Sequence, residues 1–279
     1  MFDTSLHPGD VLKGPLVQRF DANLVGRDFV VGDLHGAFDL LDAAMRRVSF
    51  DTECDRLFCV GDLVDRGPDS FRALELLRQP YVHSVLGNHD YDFVCMSPQK
   101  VRVNAIVNYN GMRWARDLTD ARILALQEAL KSCPLVIEIE TETGTVGIVH
   151  ADVLEGVSWQ SFISGISAGD RRTVAGALES RWRSRVPAVD AGKGIDGIDR
   201  VFVGHDPKFL GAERRGNVWA IDTGAIYRQE GVIPDGFAEV AGMLTLVNVA
   251  ASDGELDSQD WRGSGELAIV DVARERMRG

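Results

Sequence analysis

Five short apolar runs in this chain each end at an aspartate, asparagine or histidine: DFVVGDLHG at 28–36, RLFCVGDLVDRG at 56–67, VHSVLGNHD at 82–90, TVGIVHAD at 145–152 and RVFVGHD at 200–206. Runs that are apolar at every position, rather than at every second one, suit strands covered on both faces. Helical patterns lie between them. Phe38, Leu41, Met45 and Val48 recur at steps of 3, 4 and 3, one face of a helix. In GPDSFRALELLRQP, Asp69 or Ser70 is positioned to cap a helix carrying Phe71, Leu74 and Leu77 that Pro80 stops; in LTDARILALQEALKSCP, Thr119 or Asp120 caps another that ends before Pro134. Alternating strands and helices predict a layered α/β arrangement, in which ligands gather beyond the carboxyl ends of the strands. The polar tips are therefore expected on one rim.

At 279 residues the chain can hold one large domain or two small ones. Its apolar content of 45% is ordinary for a soluble protein, and no run approaches the roughly 18 apolar residues of a membrane span. The start, MFDTSLHPGDVLKG, has neither a basic nor an apolar leader region, so a cytoplasmic location is expected. Cys54, Cys59, Cys95 and Cys133 show no C-x-x-C spacing and are expected as reduced thiols. A net charge of -12 repels nucleic acid and anionic membrane, and neither is expected as a partner. An anionic substrate then needs local positive charge. Arg171, Arg172, Arg181, Arg183 and Arg185 gather against few acids, although such a cluster also reads as a solvated helix face.

Taken singly, each tip is also an ordinary turn, because Gly-Asp and Gly-Asn are common turn pairs. Together, Asp33, His35, Asp62, Asn88, His89, His150 and His205 offer carboxylate, imidazole and amide groups with no thiol, a mixture that suits Mn, Fe or Zn. Seven groups exceed one tetrahedral site, and two ions are the economical reading. Asp33 and His35, spaced i, i+2, fall on one side of an extended segment and can hold one ion. Asn88, His150 and His205 can hold the other, with Asp62 bridging. Two ions about 3.5–4 Å apart favour in-line displacement at phosphorus. Arg66 then suits two phosphoryl oxygens with its planar fork. His89 is too close to Asn88 in sequence for both to face the same ion easily, so it is expected as the general acid. Asp65 is the candidate to orient it, and Asp90 the competitor.

In this order, GDLHG, GDLVDRG and GNHD followed by His150 and His205 resemble the calcineurin-like metallophosphoesterases, in particular the small bacterial and phage serine/threonine phosphatases. The likeness runs from about Gly26 to Val247 and includes IDTGA at 221–225. It implies an α+β fold, a central β-sandwich flanked by helices (αββα), rather than a single parallel sheet. It also implies one domain, with a core over about 26–250, helical insertions over about 91–132 and 153–199, and a tail at 251–279. By the resemblance, one metal falls on Asp33, His35 and Asp62 and the second on Asp62, Asn88, His150 and His205, with manganese the expected metal. Arg66 takes phosphate and His89, paired with Asp65, is the acid. A second phosphate arginine falls in SRWRSR, whose three arginines are all candidates, with Arg183 taken first and Arg185 behind it. Asp90 stands where the phosphatases usually have glutamate, and Asp206 where they often have threonine.

The implied activity is metal-dependent hydrolysis of a phosphorylated protein or peptide. A symmetrical dinucleoside tetraphosphate hydrolase is the rival, sharing the ligands and the GNHD spelling; its second block reads GDLVARG, so Asp65 favours the phosphatase while Asp90 leans the other way. A metal-free scaffold of the same fold would be expected to have lost ligands, and none is missing here. A nuclease fits poorly with the acidic surface. Trp114 and Trp182, in the two insertions, read equally as packing or as substrate contacts, and His83, at a strand start, as structural.

Overall fold

In a computed structural model, which describes residues 8–186, 192–227, 242–251 and the strand at 267–271, the apolar runs form strands that divide their side chains between two cores. One sheet has the order β1 (Val17–Phe20), β5 (Val136–Thr141), β6 (Gly144–Val149), β7 (Arg200–Val203), β9 (Val218–Ala220), β8 (Glu213–Arg215). The other runs β11 (Leu267–Asp271), β10 (Met243–Asn248), β2 (Asp28–Val31), β3 (Arg56–Cys59), β4 (Val82–Ser84).

Between the sheets lies a core of Val30, Phe58, Val60, Ile137, Ile139, Ile148, Phe202, Trp219 and Val247. The alternate residues Phe29, Val31, Leu57, Cys59, Val136, Val149 and Val201 point outward into a second core shared with the helices. That division explains the unbroken apolar runs: one face of each strand meets the opposite sheet and the other meets helices. The architecture is a β-sandwich flanked by helices, class α+β, and the single parallel layer suggested by strand and helix alternation alone is superseded.

The helices are α1 (Pro8–Val11), α2 (Phe38–Arg47), α3 (Ala73–Leu76), α4 (Asn88–Cys95), α5 (Pro98–Val107), α6 (Asp120–Leu130), α7 (Trp159–Ser167), α8 (Arg171–Glu179) and α9 (Trp182–Arg185). α2 buries Phe38 and Leu41 as its periodicity predicts, and the Thr119 side chain caps α6 by accepting from Arg122 N. The helix expected after Asp69 is different. Neither Asp69 nor Ser70 caps it; a 3-10 turn at Ser70–Arg72 leads into the single turn of α3. Ser70 Oγ instead donates to the Gly67 carbonyl at 2.7 Å, so the hydroxyl closes the turn behind Arg66 rather than starting a helix.

β2, β3 and β4 are mutually parallel, as are β6, β7 and β9. Their carboxyl ends converge on one rim across the sandwich: the His205 backbone N–H, beyond β7, reaches the Asp33 carboxylate, beyond β2, at 3.1 Å. Within the late segment read only as a tail, LAIVD forms β11 and pairs antiparallel with β10; the rest of 252–279 lies outside the described residues, as does His7, which the sequence places in an irregular, exposed leader.

Candidate metal centre and active site

Backbone geometry shapes the rim. His35, Asp62, Asp65, Arg66 and His205 have φ of 45°, 51°, 70°, 67° and 69°, five of the eight non-glycine residues in the left-handed region among the described residues. Such conformations cost about 1–3 kcal/mol each and persist where neighbouring contacts hold them. Here His35 N donates to Asp62 O at 2.8 Å, Gly67 N to His35 O at 3.0 Å and Arg66 N to Gly111 O at 2.8 Å. The glycines of GNHD and VGHD answer to crowding: a side chain on Gly87 would overlap the Asp62 carboxylate, and one on Gly204 the Asp33 carboxylate.

Two backbone carbonyls aim the histidines. His35 Nδ1 donates to Val64 O at 2.8 Å and His150 Nδ1 to Val60 O at 2.9 Å, which turns both Nε2 atoms toward Asp62. They lie 3.3 Å and 3.5 Å from its two oxygens. Asn88 Oδ1 stands 3.0 Å from His150 Nε2 and 2.9 Å from His205 Nδ1. Two groups of mutually close donors result, His35, Asp62 and His89, and Asp62, His150 and His205, each within 4.8 Å, with Asp62 common to both. Asp33 is outside these groups and lies on the same floor, accepting from His205 N.

This floor fits divalent cations. Burial, then Asp222 and Asp62, push the Asp33 carboxyl well above the usual range, and burial pushes Asp222 to about 6. Burial also lowers His35, His150 and His205, the last to about 3 with His150 and Arg181 contributing, so these imidazoles are neutral and keep a lone pair. Crowded buried carboxylates beside neutral imidazoles and an amide oxygen lack positive charge, and the donor set is one that divalent metals satisfy. Sequence reasoning passed over Asp222; its position after a sixth apolar strand end, VWAID, was the available signal.

His89 is shifted in the opposite direction. Burial would lower it, but the charge of Asp62 and the hydrogen bond and charge of Asp65 outweigh burial and raise it. Its Nδ1 is 2.9 Å from Asp65 Oδ2, and its Nε2 is 3.4 Å from the Arg66 guanidinium. Asp90 does not compete for this partnership. It is fully buried and accepts from the backbone N–H of Leu63, Val64 and Gly87 at 3.0, 3.2 and 3.0 Å, tying the second block to the third. The Arg66 guanidinium also donates to Tyr227 Oη at 3.3 Å.

The arginines of SRWRSR separate. Arg183 is buried, with Nε 3.2 Å from both oxygens of Asp152 and its guanidinium 4.6 Å from the Trp182 ring centre. Arg185 is exposed. Arg181, not singled out for phosphate in the sequence, reaches the rim: its Nε donates to His205 Nε2 at 3.1 Å. The reason is local, since α9 starts at Trp182 and Arg181 precedes it with non-helical ψ. Trp182 is packing, its Nε1 bonded to Val153 O at 2.7 Å, and His83 stacks between Phe20 and Phe58.

Carboxylates and imidazoles gathered around a common carboxylate, beside an aspartate-paired histidine and an arginine, are the groups a metal-dependent phosphoester hydrolase uses. The chain belongs to the calcineurin-like phosphoesterase family, whose pattern matches residues 29–222. It is 33% identical over 220 residues to serine/threonine-protein phosphatase 1 of Salmonella typhimurium, covering 76% of this chain and 93% of that protein. A symmetrical bis(5'-nucleosyl)-tetraphosphatase of Serratia proteamaculans is 47% identical over 64 residues, 22% of this chain and 23% of the relative. Among solved structures, a protein serine/threonine phosphatase from Saccharomyces cerevisiae shares the fold with a TM-score of 0.57 at 15% identity, over 96% of this chain and 86% of that one.

Proposed function

We propose that this enzyme is a serine/threonine protein phosphatase acting on phosphorylated proteins or peptides with two divalent metal ions, manganese first among them. The observation that carries the reading is the buried Asp65–His89 pair at 2.9 Å, in which Asp62 and Asp65 shift the imidazole toward its protonated form against burial. Serine and threonine leave phosphorus as strongly basic alkoxides and need a proton as the bond breaks; a nucleotide leaves a polyphosphate as a stabilised anion and needs one far less.

On this reading Asp33, His35 and Asp62 hold one ion, and Asp62, Asn88, His150 and His205 the other. When bound, such ions lower the pKa of water and offset phosphoryl charge. Arg66 orients the phosphoryl group through two N–H donors, and Arg181, rather than Arg183 or Arg185, is the second phosphate arginine. His89 passes its Nε2 proton to the departing oxygen. No helix among the described residues is long and apolar enough to cross a membrane. A cytoplasmic phosphoprotein is the substrate class on this reading. On this reading the site is built within one domain.

The second reading, a symmetrical dinucleoside tetraphosphate hydrolase, is favoured by the 64-residue likeness to the Serratia protein. The test is kcat/KM of the manganese-loaded protein for a phosphoserine peptide and for diadenosine tetraphosphate, side by side. A large preference for the peptide supports the phosphatase. A large preference for the dinucleotide overturns it while leaving the metal floor intact.

A further inference from the structure

Asp65 is completely buried and each of its oxygens has a different ring donor: Oδ2 faces His89 Nδ1 at 2.9 Å, and Oδ1 accepts from Trp114 Nε1 at 2.9 Å. Trp114 belongs to none of the strand tips. It lies in the 3-10 segment Tyr109–Ala115, inside the 91–132 stretch. That segment opens with Asn108, Asn110 and Gly111 at φ 54°, 52° and 80°, a left-handed turn that delivers Gly111 O to Arg66 N at 2.8 Å. A Cβ on Gly111 would sit 2.7 Å from the Arg66 backbone, so the close approach requires glycine there. The segment is anchored by the buried Met112 and Ala115 and by the Trp114 ring, 5.4 Å from that of Phe93. It thus grips two consecutive residues of GDLVDRG, one serving the acid and one the phosphate.

We propose that Trp114 is a positioning residue for proton donation, fixing the plane of the Asp65 carboxylate so that His89 is aimed at the leaving oxygen. This rests on the reading of His89 as general acid. A carboxylate held through one oxygen can rotate about its last bond; a donor on the second oxygen removes that freedom and stabilises the charge that pairs with the imidazolium. The step served is a proton transfer: Nε2–H of His89 breaks, the alkoxide oxygen gains the proton as its bond to phosphorus cleaves, and the imidazole is left neutral.

The test uses substrates that differ in their need for a proton. Trp114→Phe keeps an aromatic ring against Phe93 and removes the N–H. In the metal-loaded full chain we expect kcat for a phosphoserine peptide to fall about tenfold or more, and kcat for p-nitrophenyl phosphate, whose leaving group departs without a proton, to change by less than about twofold. KM should hold, since Arg66 is untouched. Replacement of Trp114 by benzothienylalanine, the sulfur isostere without the N–H, repeats the test if the phenylalanine variant folds poorly. Phe93→Leu reports packing alone and should lower Tm while preserving the ratio between the substrates. Equal losses on both substrates, or none on either, overturn the proposal. His89→Asn separates the failures: if it too treats both substrates alike, the general-acid reading falls; if it spares only p-nitrophenyl phosphate and Trp114→Phe does not, Trp114 alone was misassigned.

Discussion

His35 Nε2 lies 3.3 Å from Asp62 Oδ2, joining the tip of β2 to the tip of β3, while the other oxygen of Asp62 faces His150 from the opposite sheet. Among the described residues, Asp62 is thereby the one carboxylate common to both donor groups. Burial would raise it, but the four surrounding histidines outweigh burial and hold it below the usual range. Asp62→Asn should lose both ions and nearly all turnover. His89→Asn should keep both ions and fall about 10²–10⁴-fold in kcat on an alkyl phosphate. Elemental analysis of the two purified variants checks this; equal metal loss in both would make His89 a ligand.

The gathering of these donors on one rim was legible because each follows its apolar run within a few residues, so strand ends and polar groups are written together at Asp33, Asp62, Asn88, His150 and His205. The sandwich was not legible from periodicity. Val30 and Val31 are both fully buried, one between the sheets and one under helices, and a strand covered on both faces carries no alternation to show which kind of layer covers it. The resemblance of the motif blocks supplied that distinction. Trp114 was unreadable for another reason. Its partner Asp65 is 49 positions away, and nothing in YNGMRWA marks an indole that will meet a carboxylate. The choice among the arginines turns on a boundary: where α9 begins decides which of Arg181, Arg183 and Arg185 turns to the rim, and element boundaries are weakly encoded.

Arg181 and Arg183 should therefore part under the same substitution. Arg183→Met strands the buried Asp152, whose carboxyl is pushed up to about 6, chiefly by burial; breaking such a pair costs about 3 kcal/mol, and the loss should appear in urea denaturation. Arg181→Met should leave stability within about 0.5 kcal/mol, as surface changes do. It should also lower kcat/KM for a phosphoserine peptide by about tenfold or more, the scale of a charge-assisted contact to phosphate. A stable Arg183→Met variant with impaired turnover would reverse the two assignments.

At the opposite end of the strands, Arg27 clamps Asp55 with its guanidinium at 2.7 Å and its backbone N–H at 2.7 Å, while Asp51 N adds a third contact at 3.0 Å. Burial alone would raise the Asp55 carboxyl; the Arg27 contacts and the Asp51 N–H outweigh it and lower it. A carboxylate lowered on folding stabilises the protein above its unfolded-state value, about 3.9, and that contribution fades as pH falls through the lower folded value. Asp55→Asn should thus cost about 2 kcal/mol near neutral pH, the scale of hydrogen bonds to a charged group. Urea titrations at about pH 7 and about pH 3 should show the gap between wild type and variant narrowing in acid, where Asp55 takes up its proton. A gap unchanged between the two would mean that the charge on Asp55 contributes nothing and that the carbonyl shared by aspartate and asparagine holds this corner.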